Sequence, residues 1–173
     1  MKRLIIILVL FSAFSAGIYA QASATATASA TIVTPIAIAN ATNMNFGNVA
    51  VSASTAGTVI LATDGSRTTG GAGGVTLPAT TGTVSAASFN VTGTANFTYS
   101  ITLPAGTTTI YNNAAGTMTV DTWTSNPTVG AGGNLGAGGA QTLYVGATLN
   151  VAAGQETGAY SSDTPFTVTV NYN

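Results

Sequence analysis

The sequence predicts an all-β protein, an antiparallel β-sandwich, on three observations. Apolar residues recur at every second position in several stretches, and clusters of glycine and asparagine separate those stretches. No window carries an apolar stripe with the 3.6-residue period of a helix, and the abundant Thr, Val and Gly disfavour helix. Short strands with one apolar face, joined by turns, bury that face by packing as two layers. At 173 residues the chain is long enough for one such core.

The elements follow in chain order. Lys2 and Arg3 precede the apolar run Leu4-Ile-Ile-Ile-Leu-Val-Leu-Phe11, and small residues follow through Gly17. That order predicts a secretory signal peptide over residues 1–20, with cleavage after Ala20 or after Ala22. An anchor helix is the alternative, but spanning needs about 20 apolar residues, and Ser12, Ser15 and Gly17 interrupt the run first. The chain has no Cys to carry a lipid. No later segment approaches spanning length, so no membrane-crossing helix is expected after cleavage.

Residues 21–34 form a leader in which Ala24, Ala26, Ala28, Ala30 and Ile32 share one face. Ser23, Thr25, Thr27, Ser29 and Thr31 share the other. Methyl groups bury little area, so this strand would hold its own sheet weakly. Small side chains would slide readily into a groove on another subunit, which makes the segment a candidate donor strand. An ordinary first strand or a disordered leader are the alternatives. The sandwich itself is expected over residues 35–173.

Within it, Phe97-Thr-Tyr-Ser-Ile-Thr-Leu103 places Phe97, Tyr99, Ile101 and Leu103 inward. Residues 143–151 do the same with Leu143, Val145, Ala147, Leu149 and Val151, and residues 166–172 with Phe166, Val168, Val170 and Tyr172. Shorter strands are expected over 58–62, 75–77, 88–92 and 117–122. The turns fall at Asn112-Asn113, at 70–74 and along the glycine-rich stretch 130–139. Gly47, after an inward Phe46, is expected at a positive φ or a close backbone approach. A membrane β-barrel also alternates, but it needs longer strands and aromatic girdles, and aromatics are only 8% of this chain.

Composition narrows the chemistry. Charged residues are 4% of the chain, against about 25% in soluble domains. With no His and no Cys there is no thiol nucleophile, imidazole base, His/Cys zinc site or disulfide. Beyond residue 20, Arg67 faces Asp64, Asp121, Glu156 and Asp163, one cation against four carboxylates and a net charge of −3. That is no footprint for nucleic acid or anionic lipid. The carboxylates lie far apart in sequence with no His, Lys or Cys beside them, so no enzyme activity and no cofactor are expected. Asp64-Gly-Ser66 and Ser161-Ser-Asp163 offer oxygens, but calcium takes about six to eight, and turn-forming Asp is the simpler reading. The Asn-x-Thr triplets at Asn40, Asn90 and Asn96 have the form of glycan acceptors. Trp123 and the tyrosines could make a sugar platform, against a place in the core or on the sheet.

The export signal, the alternating leader, Pro35-Ile-Ala-Ile38 and Met44-Asn-Phe-Gly47 resemble the start of archaic chaperone–usher pilins and spore-coat-protein-U-like domains. Gly154-Gln-Glu-Thr-Gly-Ala-Tyr160 and Phe166-Thr-Val-Thr-Val-Asn-Tyr172 are similar to their close, with one extra residue between Tyr160 and Asp163 and without the pilins' frequent Cys pair. A nearer resemblance is to a secreted bacterial family known as domain of unknown function 4402. Its pattern appears as Phe46-Gly47, Phe89-Asn-Val-Thr-Gly93, Tyr99-Ser-Ile-Thr-Leu-Pro104, Val145-Gly-Ala-Thr-Leu149 and the closing strand.

The resemblance implies an immunoglobulin-like sandwich completed by strand donation through Ala24, Ala26, Ala28, Ala30 and Ile32. The expected function is that of an exported, non-catalytic subunit of a bacterial surface fibre or pilus-like appendage, in adhesion or biofilm. Its partners would be copies of itself or related subunits, with a periplasmic chaperone and an usher. The alternative is a free-standing secreted or surface binding module for glycans.

Overall fold

The computed structural model describes residues 21–112 and 116–173. The expected signal peptide and Asn113 of the Asn112-Asn113 turn lie outside the described residues, which form twelve strands and no helix. These are β1 (Ala37–Thr42), β2 (Ala50–Val51), β3 (Gly57–Leu61), β4 (Arg67–Gly70), β5 (Val75–Thr76) and β6 (Ala87–Thr92). They continue with β7 (Thr98–Thr102), β8 (Thr108–Tyr111), β9 (Thr117–Asn126), β10 (Gly130–Asn134), β11 (Ala140–Val151) and β12 (Thr169–Tyr172).

The twelve-residue β11 organises the larger sheet. Its first half pairs with β6 and its second half with β3. Its other edge pairs with β9. β1 extends the sheet beyond β6, β4 beyond β3 and β8 beyond β9. A second sheet has the order β10-β7-β12, and β2 pairs with β5. All of these pairings are antiparallel, giving the expected all-β, sandwich-like fold.

Alternation explains the core. Leu143, Val145, Ala147, Leu149 and Val151 are all buried, as period two along β11 requires. The first two join Ala87 and Val91 of β6 against Tyr99, Ile101 and Val170 of the β10-β7-β12 sheet and Val168 just before β12. The other three join Phe46, Val59, Leu61, Val75 and Val120 in a second cluster. Met44 and Trp123 touch both clusters. Each large side chain removed from water here contributes about 1.5–3 kcal/mol.

Two expectations need correction. Phe97 is 40% exposed, because it precedes β7 at the end of a turn, and its ring packs edge-on against Tyr172 at 5.4 Å. The buried position is taken by Leu135, whose amide donates to the Phe97 carbonyl. Nor is the glycine-rich stretch 130–139 all loop, since Gly130–Asn134 is β10. Gly133 lies opposite Tyr99, and a Cβ there would stand 2.4 Å from the aromatic ring. The ring of Tyr99 covers the backbone that glycine leaves bare, so the strand forms without side chains of its own.

Boundaries also shifted by small amounts. Leu103 and Phe166 are half-buried beyond the strand ends, while Val168 and Val170 are buried. Tyr160 donates to the carbonyl of Glu156 at 2.7 Å and accepts from Gln155 Nε2 at 2.9 Å. The hydroxyl thereby ties the loop that precedes β12 to its own backbone four residues upstream.

Candidate functional site

The chain divides into Met1–Ile32 and the sandwich body Val33–Asn173. Residues 21–36 form no strand, and Ala24, Ala26, Ala28, Ala30 and Ile32 are exposed, Ile32 at 98%. The alternating segment therefore has strand character in sequence without being a strand in its own chain.

The place where the body begins is held by three polar residues. Thr34 donates its amide to Thr94 Oγ1 at 2.9 Å, and Thr94 Oγ1 donates to the Thr34 carbonyl at 3.3 Å. Tyr172 donates to the same carbonyl at 2.8 Å and accepts from the Thr94 amide at 2.7 Å. A Cβ at Gly93 would stand 2.2 Å from the Tyr172 hydroxyl, so glycine is what lets the phenol reach this backbone. Tyr172 thus ties the first residues of the body to its last strand. Alternation gives Tyr172 only an inward face, because nothing in that pattern signals a hydrogen bond across so many residues.

Beside this tie, β12 pairs with β7 along one edge and has no ladder along the other among the described residues. β1, at the border of the larger sheet, approaches it. Ile36, Ile38, Phe89 and Phe166 are half-buried and pack against the core cluster that contains Val170 of β12, with Phe89 and Phe166 meeting edge-on at 6.3 Å. An unpaired strand edge next to incompletely covered apolar surface is a template for another strand.

Arg67 and Asp64 serve the backbone. Arg67 donates to the carbonyls of Phe46 and, at 3.0 Å, Asn48, which flank Gly47. Gly47 has φ +67°, and a Cβ there would stand 2.3 Å from the Thr81 carbonyl oxygen, so both expectations for this glycine hold. Asp64 accepts from the Ser66 amide at 2.8 Å in the β3–β4 turn. The Ser66 hydroxyl, then its amide, hold this exposed carboxyl below the usual carboxylate range.

Asp121 and Trp123 flank an irregularity in β9. Between the pairs Gly146–Thr124 and Thr148–Asp121, β9 uses one residue more than β11, a β-bulge. Thr122 sits there at φ 50°, rare for a β-branched residue. Trp123 consequently turns toward the core, where it packs on Phe166 with centroids 4.6 Å apart and donates Nε1 to the Gly106 carbonyl at 3.0 Å. Trp123 also lines an open groove of about 500 Å³ between β9, the end of β7 and the loop after it.

Comparison with known proteins adds one finding. No curated protein and no solved structure matches the chain. A family model described as "Domain of unknown function (DUF4402)" matches residues 36–172, from just before β1 to the last residue of β12. The chain belongs to the DUF4402 family.

Proposed function

We propose that the protein is an exported structural subunit of a bacterial surface fibre, in which residues 23–33 of one copy pair with the open edge of β12 in the next. The observation that carries this reading is a mismatch within one chain. A segment patterned as a strand forms no strand in the sandwich, while β12 has, among the described residues, one edge without a ladder. Ala24, Ala26, Ala28, Ala30 and Ile32 would face half-buried apolar side chains such as Ile36, Ile38 and Phe166.

Direction favours a neighbour over the chain's own leader. Thr34 is bonded to Tyr172, so a segment running back from Thr34 beside its own β12 would lie parallel to it. A leader from a second copy is free to pair antiparallel, the slightly more stable arrangement. A subunit awaiting its donor would expose an adhesive edge, so a periplasmic chaperone and an usher are the partners such a route requires.

Electron microscopy and light scattering of the protein beginning at Gln21, beside the same protein lacking residues 23–33, test the reading. Concentration-dependent linear assemblies are expected from the first and monomers from the second. Monomers from both at high concentration, with or without candidate assembly factors from neighbouring genes, would contradict it.

A further inference from the structure

We infer that the groove beside Trp123 is a binding site for an uncharged saccharide chain. Strain comes first in the argument. A threonine at φ 50° in the middle of a strand is unfavourable and persists only where its surroundings enforce it, and such residues concentrate at sites that bind or act. Here the outlier has a definite consequence. The bulge at Thr122 changes the face on which the strand presents Trp123, bringing the indole to the groove between β9 and the end of β7.

The lining supplies the two kinds of contact that a pyranose needs. Leu103, Trp123 and Val129 give apolar surface for the C–H faces of the ring, and Val129 is 57% exposed. Thr102, Thr107 and Asp121 stand at the same groove with hydroxyl and carboxylate groups for sugar hydroxyls. The Asp121 carboxylate is already oriented, since Oδ1 accepts from the Thr122 hydroxyl and Oδ2 from Asn150 Nδ2, each at 2.9 Å. A carboxylate has about four acceptor positions, so it can accept from a ligand as well.

The absence of a cation sets the ligand class. Arg67, the basic residue of the described chain, is bonded to the Phe46 and Asn48 carbonyls and is not among the residues lining the groove. A site with a carboxylate and no positive charge disfavours sulfated or uronic-acid chains and accepts neutral ones. The groove's openness to solvent suits a chain passing through it, rather than a small molecule enclosed within it. This proposal does not rest on strand donation: the groove-lining residues are not those of the β1–β12 edge, which Trp123 touches only through the Phe166 ring.

The chain has a single Trp, so intrinsic fluorescence reports this groove without labelling. Protein beginning at Gln21 is titrated with cello-, chito- and manno-tetraose, with a sulfated tetrasaccharide, and with a synthetic peptide of residues 23–33. A saturable change in Trp123 emission is expected with at least one neutral sugar and not with the sulfated one. Val129→Glu and Thr107→Val alter groove residues outside the strands, so both should fold as the wild type, as thermal melting would show. Each should weaken binding about tenfold. No response to any neutral sugar, equal binding by the folded Val129→Glu protein, or a response to the peptide alone would overturn the proposal. Failure here leaves the linear assemblies of the fibre reading to be judged by microscopy, and the reverse holds equally.

Discussion

Tyr172 donates a 2.8 Å hydrogen bond to the carbonyl of Thr34, joining the last strand to the point where the leader meets the body. The same hydroxyl accepts from the Thr94 amide, and its ring packs against Phe97. One phenol therefore fixes the start of the body against β12, the strand whose outer edge is open. Tyr172→Phe keeps the ring contact and removes both hydrogen bonds. It should lower stability by about 1–3 kcal/mol in urea denaturation. Amide exchange should also accelerate at Thr34 and Thr94 while staying unchanged in β11. Unaltered exchange at Thr34 would mean that the tie does not hold this segment.

Two glycines separate strain from crowding. Gly47 and Gly65 both have positive φ, +67° and +83°. At Gly65 a Cβ would meet nothing within 4 Å, whereas at Gly47 it would meet the Thr81 carbonyl oxygen at 2.3 Å. Gly65→Ala should cost about 1–2 kcal/mol, the penalty of a left-handed residue alone. Gly47→Ala should cost more, because the backbone of the turn held by Arg67 must also move. Equal losses in thermal unfolding would show that the turn around Thr81 yields without resistance.

Tyr99 gives the protein an alkaline limit. Its hydroxyl donates to Gln141 Oε1 at 2.8 Å, and burial raises its pKa above the ordinary value. A group whose pKa is higher folded than unfolded contributes stability that is complete below the unfolded value and lost as pH rises through the folded one. Stability should therefore fall above about pH 10, the ordinary tyrosine range. In Tyr99→Phe that part of the fall should disappear, at a cost of about 0.5–1.5 kcal/mol at neutral pH for the lost hydrogen bond. Denaturant midpoints from pH 7 to 11 measure it, and parallel curves for the two proteins would remove Tyr99 as the cause.

The hydrophobic alternation made most of this fold legible. Leu143 through Val151 could be placed correctly from period two alone because both halves of β11 face core. The pattern failed where the information lies in a partner. Nothing local says that Gly133 will lie under the ring of Tyr99, so a strand made of glycines reads as a loop. Nor does parity reveal where a strand stops, which is why Phe97 reads as core while Leu135 takes the buried place. Of the candidate sites, the alternating leader was visible in sequence, since its regularity lies in one short segment. The Tyr172–Thr34 tie and the bulge at Thr122 were not, because both depend on register between distant strands.

The central claim is that residues 23–33 are a strand for another copy, and peptide complementation tests it most directly. Protein lacking these residues is melted in denaturant with and without a synthetic peptide of residues 23–33. Binding to the folded state alone should raise stability by about 2.7 kcal/mol when the peptide is at a hundredfold excess over its dissociation constant. The same peptide carrying Ala28→Arg should have no effect, since a charge would enter apolar surface shaped for a methyl group. The contrary result is a truncated protein whose melting curve is identical with either peptide or with none, alongside a full-length protein that stays monomeric.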